Sequence, residues 1–302
     1  MHKNFLGLVL TTIMLSACGT NTPTTLSVVA TLFPQYSLAD QLAGDLIDVE
    51  FLIPVGTDPH DFEPSPNQRL MLNNADLIFY TSEDFEMWMH ALEETLEGTA
   101  IDLSSTVNLI VGEVHDHLQP GPKLADDHLD GEFDPHYWID PANGLLMLGA
   151  IADILVTLIP EDSALIRSRE ILIEEAFTET IDLYESLVEE GSEQDVVFAG
   201  HNAFGYLTNY DVHVNTPYPG FSTDVLPTAQ SIIDFTALMT SLETSTLFTS
   251  STDNSAVVEA LLESNPGIET KVLYTLENVS LSQFEAEMRY QELLMLNYES
   301  LS

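Results

Sequence analysis

Short apolar runs alternate with stretches of helical spacing along the first half of the chain. Ser27–Thr31, Val49–Ile53, Leu77–Tyr80 and Leu109–Val111 read as strands, with helices over Tyr36–Ala43 and Ser65–Asn73. The same grammar returns in the second half. There Val196–Gly200, Val212–Asn215, Leu247–Ser250 and Val272–Leu276 read as strands, and Ala229–Leu242 and Ser255–Ser264 as helices. Strands separated by helices build parallel sheets with right-handed crossovers, so an α/β fold with two similar lobes is expected. Between the halves, Ser163–Glu190 holds neither Gly nor Pro. Apolar residues recur there at Ile166, Ile173, Phe177, Ile181, Tyr184 and Val188. That spacing predicts one long backbone helix joining the lobes, about 42 Å from end to end.

The N-terminus predicts the compartment. Met1–Asn4 carries a Lys, Phe5–Leu15 is apolar, and Leu15-Ser16-Ala17-Cys18 follows. A short positive region, a short apolar core and small residues make a secretory signal over residues 1–17, not a membrane span. Cys18, the single cysteine, stands where a lipoprotein would be cut and lipidated. Residues 18–25 then form a tether, 26–160 the first lobe, 161–191 the linking helix and 192–302 the second lobe. The expected product is an extracytoplasmic monomer, held to the cell membrane by its lipid anchor only and free of disulfides. Charge adds an exclusion. With 49 Asp and Glu against 7 Lys and Arg, the net charge is -42, a field that repels nucleic acid and gathers cations. An acidic surface of this kind suits a salty medium, where self-repulsion is screened.

Histidines carry the candidate chemistry. His60 and His136 stand in the same tripeptide, Asp58-Pro59-His60 and Asp134-Pro135-His136, where proline fixes the local backbone. His201 closes the strand Val196–Gly200. Ligands of open α/β sheets gather beyond the carboxyl ends of strands, and three imidazoles there suit a borderline-soft ion such as zinc. Glu277, after the run Val272–Leu276, is the expected fourth ligand: its interval from His201 equals that between His60 and His136. Asp253 or a water could take that place instead. His115, His117 and His128, among acidic residues and broken by Pro120-Gly121-Pro122, form either a weak accessory metal loop or a solvated connector.

Three blocks carry a family resemblance: Gly56-Thr57-Asp58-Pro59-His60-Asp61-Phe62-Glu63-Pro64-Ser65, Asp134-Pro135-His136-Tyr137-Trp138-Ile139-Asp140-Pro141, and His201-Asn202-Ala203-Phe204-Gly205-Tyr206. Together they resemble the zinc/manganese-binding lipoproteins of ABC-type metal importers, over nearly the whole chain past the signal. The resemblance implies two α/β lobes on one long helix, a metal buried between them, and delivery to a membrane permease. Matched by position, His60, His136 and His201 take the places of that family's first three ligands, and Glu277 stands where an Asp is usual. In manganese-type relatives a carboxylate tends to replace the third histidine, so His201 favours Zn2+ over Mn2+. Catalysis is not expected, since no His-Glu-x-x-His helix or Gly-x-Ser-x-Gly turn occurs. A secreted zinc hydrolase and a surface adhesin are the alternatives from other classes.

Overall fold

A computed structural model describes residues 26–111, 133–187, 193–221, 226–250 and 255–302. The expected signal peptide, Cys18, the tether, His115, His117, His128, Val188 and Asp253 lie outside the described residues.

The first lobe is a parallel sheet of β1 (Ser27–Ala30), β2 (Asp48–Phe51), β3 (Leu77–Tyr80) and β4 (Thr99–Asp102), in the order β2-β1-β3-β4. Helices α1 (Phe33–Ala43) and α2 (Pro66–Asn74) make the first crossovers. Each begins where its sequence permits. Pro34 lies in the first turn of α1, and Ser65 caps α2 by accepting from the Gln68 N–H. The apolar run Leu109–Val111, expected as a strand, forms only an isolated bridge from Val111 to Phe133, and the fourth strand is instead the more polar Thr99–Asp102.

Helices α3 (Pro141–Leu158) and α4 (Ser163–Glu185) follow as a hairpin. Asp140 caps α3, its Oδ1 accepting from the Ala142 N–H at 2.8 Å. By length and composition α3 could cross a membrane, but here it packs against α1, α4 and the C-terminal helix. The long helix α4 has 23 residues, about 35 Å. It ends at Glu185, short of the expected Glu190, with Ser186 at its C-cap. Ile166, Ile173, Phe177 and Tyr184 face inward as the spacing predicts; Thr180 is buried, whereas Ile181 is only half-buried.

The second lobe repeats the first in miniature. Strand β5 (Gln194–Val197) pairs in parallel with β6 (Val212–Asn215), and β7 (Thr246–Thr249) with β8 (Glu269–Val272). A parallel bridge between Phe198 and Phe248 joins the two pairs. The resulting order, β6-β5-β7-β8, mirrors β2-β1-β3-β4. Helices α5 (Ala229–Ser241) and α6 (Ser255–Ser264) belong to this lobe. The last strand ends at Val272, so the run Leu273–Leu276, expected as strand, is an irregular segment in which Leu276 has φ +66°. After α7 (Leu281–Glu285), helix α8 (Tyr290–Leu301) returns to the first lobe: its Tyr290 N–H donates to Ser37 Oγ at 3.0 Å, and Arg289 pairs with Asp40 at 2.9 Å. One apolar core runs through both lobes and the hairpin, and includes Phe33, Trp138, Phe177, Tyr184, Phe198 and Tyr290.

Candidate metal centre

The four expected residues meet at one point. One donor atom from each of His60, His136, His201 and Glu277 can be chosen so that all lie within 4.8 Å of one another. His136, His201 and Glu277 are buried, and the His60 side chain is only 8% exposed. Glu277 Oε2 lies 3.0 Å from His60 Nε2, and its Oε1 lies 3.3 Å from His201 Nε2. The ring centroids of the three histidines are 4.9 to 5.6 Å apart.

Each side chain arrives by a different route. His60 follows β2 through the turn at Pro54–Thr57, and its backbone N–H donates to Asp58 Oδ1 at 3.0 Å. His136 follows β4 at some distance and precedes the 3-10 turn Tyr137–Ile139. Its backbone N–H donates to Asp134 Oδ1 at 2.9 Å, the same local turn as at Asp58. The repeated Asp-Pro-His tripeptide is thus a device for aiming an imidazole. His201 lies beyond β5, after the bridge at Phe198. Glu277 ends the irregular segment after β8.

The equal intervals in sequence do not reflect lobe symmetry. His60 follows the second strand of its sheet, whereas His201 follows the strand corresponding to the first. The topology brings Glu277 to the centre for a different reason: its segment is held against the first lobe. Trp138 Nε1 donates to the Thr275 carbonyl at 2.8 Å, and the Phe33 N–H donates to the Glu277 carbonyl at 3.2 Å.

Around the donors stands an apolar wall. Phe85 packs on His60 with centroids 4.9 Å apart, Trp138 on His136 at 5.2 Å, and Phe221 on His136 at 6.1 Å. One residue escaped the sequence reading as a contributor. Asp134 Oδ1 sits 2.8 Å from His136 Nδ1, and both groups are buried. The Asp134 carbonyl in turn accepts from the Tyr206 hydroxyl at 3.0 Å. A carboxylate on Nδ1 fixes the tautomer, so the lone pair of Nε2 points the other way. That Nε2 is buried with no hydrogen-bond partner among the described residues. A buried imidazole nitrogen left bare is costly unless it has a ligand to meet. The only available signal was the Asp placed two residues before His60 and His136.

The electrostatics fit a cation. Burial pushes the His136 pKa down, against the pull of Asp134, which favours the neutral ring that a metal needs. Burial would raise Glu277, but His201 and His60, with His136 behind them, outweigh it and hold this carboxyl well below the usual range. Three nitrogens and a carboxylate gathered in one buried cluster suit a divalent ion of zinc's type.

Known proteins point the same way. The family model described as the periplasmic zinc-uptake complex component A, ZnuA, matches residues 28–302. The high-affinity zinc uptake system protein ZnuA of Bacillus subtilis is 27% identical over 282 residues, covering 91% of this chain and 86% of that protein. The zinc-binding lipoprotein AdcA of Streptococcus pneumoniae is 26% identical over 287 residues, covering 91% of this chain but 55% of that protein. The chain therefore spans about half the length of this relative. A solved structure, the Zn(II)-bound ZnuA-like domain of the pneumococcal AdcA, superimposes with a TM-score of 0.73 at 25% identity, over 92% of this chain and 97% of that one.

Proposed function

The chain belongs to the family of the periplasmic zinc-uptake complex component A, and from that premise we propose that it captures a zinc ion outside the cytoplasm and passes it to the membrane permease of an ABC-type importer. Zinc is the cargo here, not a cofactor, and no catalysis is assigned to the site. In this reading residues 26–160 and 192–302 form the two lobes, and the ion is held by His60, His136, His201 and Glu277 where they meet. Lipidation at Cys18 anchors a monomer to the membrane, and His115, His117 and His128 add weak accessory binding.

The observation that carries the proposal is the bare, buried Nε2 of His136, surrounded by three further donors within 4.8 Å. A hydrolytic zinc site would keep an open coordination position for water. Here Glu277 stands among the three imidazoles, and as a fourth ligand it would close the site, which suits holding an ion and not reacting at it. Three imidazoles against one carboxylate favour zinc over manganese.

The test is a competition titration of the purified protein with a chromophoric zinc chelator, beside its His136→Ala variant. One zinc per chain is expected, with affinity falling at least about a hundredfold in the variant, because a tetrahedral site loses a nitrogen donor. Equal affinity of the two proteins would refute the ligand assignment.

A further inference from the structure

Asn278, directly after Glu277, is buried and turned toward the other lobe. Its side-chain amide donates to the carbonyls of Pro54 and Thr57, at 2.9 and 2.8 Å. Its Oδ1 accepts from the Gly56 N–H at 3.3 Å and from the Val279 N–H at 2.8 Å. Three of these four bonds cross between lobes and grip one turn, Pro54–Thr57, which closes on itself through Thr57 N–H to Pro54 O at 3.0 Å. That turn leads directly to Asp58 and His60. A single side chain therefore joins the segment carrying the carboxylate donor to the loop carrying the first imidazole, and those two donors are the pair 3.0 Å apart.

We propose that Asn278 is a positioning residue for the metal site: it sets the separation of His60 and Glu277 and so the lifetime of the bound ion. This rests on the zinc-binding reading above. Asn278 holds no ion itself. Three features make its role more than generic packing. The amide is at a domain junction, where bonds between lobes restrain relative motion. It uses both ends of its side chain on a turn with no regular secondary structure to stabilise it. And the backbone between strand and ligand is irregular, with Leu276 at positive φ, so strand geometry alone does not fix Glu277. An outer group that orients ligands typically changes affinity by about 10–100-fold when removed.

The experiment is a double-mutant cycle read by zinc dissociation into excess chelator and by competition affinity, on the parent, Asn278→Ala, His60→Ala and the double variant. Metal-free melting is recorded for each. The expected result is dissociation at least about tenfold faster in Asn278→Ala, shrinking to within about twofold when His60 is already absent. Should the alanine variant fail to fold, Asn278→Asp conserves the size and deletes the two donors; the same pattern is expected. An unchanged dissociation rate, or the same factor in both backgrounds, would overturn the positioning role and leave zinc binding intact. Failure of the parent itself to hold zinc would overturn the underlying reading instead.

Discussion

At the scale of single residues, Asp134 and Asp58 explain why two histidines point where they do. Asp134 contributes twice, through its contact with the His136 ring and its bond from the His136 backbone N–H. Asp134→Asn keeps the shape and the backbone bond but removes the charge facing Nδ1. Zinc affinity should fall by about 10–100-fold, measured by competition titration; an unchanged constant would mean that the packing against Trp138 alone orients the ring. How far the site could be read in advance follows from the same residues. Three imidazoles were legible because the Asp-Pro-His tripeptide occurs twice and His201 follows an apolar run. Asp134 was not, because an aspartate in a turn is ordinary until a partner is seen. Glu277 was found through an equality of intervals that the topology does not support. What brings it to the centre is a set of bonds between segments far apart in sequence, which no local pattern encodes.

At the scale of elements, the strands that were misplaced share a physical cause. Both β4 and β8 are edge strands, with sequences Thr-Ala-Ile-Asp and Glu-Thr-Lys-Val and little buried surface. The apolar runs that looked more strand-like, near Leu109 and Leu273–Leu276, are connections after them. Leu273 and Leu276 are buried in the main apolar core, so here hydrophobicity marks burial and not extension. Interior strands such as β1 and β3, covered on both faces, were read within a residue of their true limits. The hairpin of α3 and α4 offers a test of its own. At Gly144 a Cβ would fall 2.4 Å from the Phe177 ring and 2.9 Å from the Tyr290 hydroxyl, and that hydroxyl is already bonded to the Trp138 carbonyl. Gly144→Ala should cost about 1–3 kcal/mol through overpacking, visible as a lower midpoint in urea. A gain in stability, as expected for Gly to Ala in an exposed helix, would show that the helices separate easily.

At the scale of the whole molecule, the lobes are joined by more than α4. Helix α8 returns from the second lobe to the first, Asn278 and Trp138 bridge the centre, and Asn209 and Tyr210 both bond to Asp140. Zinc should therefore produce little closure. A compact chain of this length has a radius of gyration of about 19 Å, and scattering with and without zinc should differ by less than about 0.5 Å; a contraction of several ångströms would contradict the bonded junction. The surface behaves differently. Every Arg and Lys among the described residues is already engaged: Arg69, Arg167, Arg169 and Arg289 with carboxylates, Lys271 with the Ser300 carbonyl. The remaining acids repel one another, so the melting temperature of the metal-free protein should rise with sodium chloride from 0.1 to about 1 M; a flat or falling curve would place the repulsion elsewhere. That outer shell attracts cations of any kind, and discrimination falls to the interior. Asp134 and Glu277 place two carboxylates at the buried centre. A doubly charged ion matches them and leaves the site itself balanced in charge. A monovalent ion would strand one negative charge there and a trivalent ion one positive charge, each at a cost of several kcal/mol. On the proposed function, this charge balance would sort ions by valence before donor softness has any say.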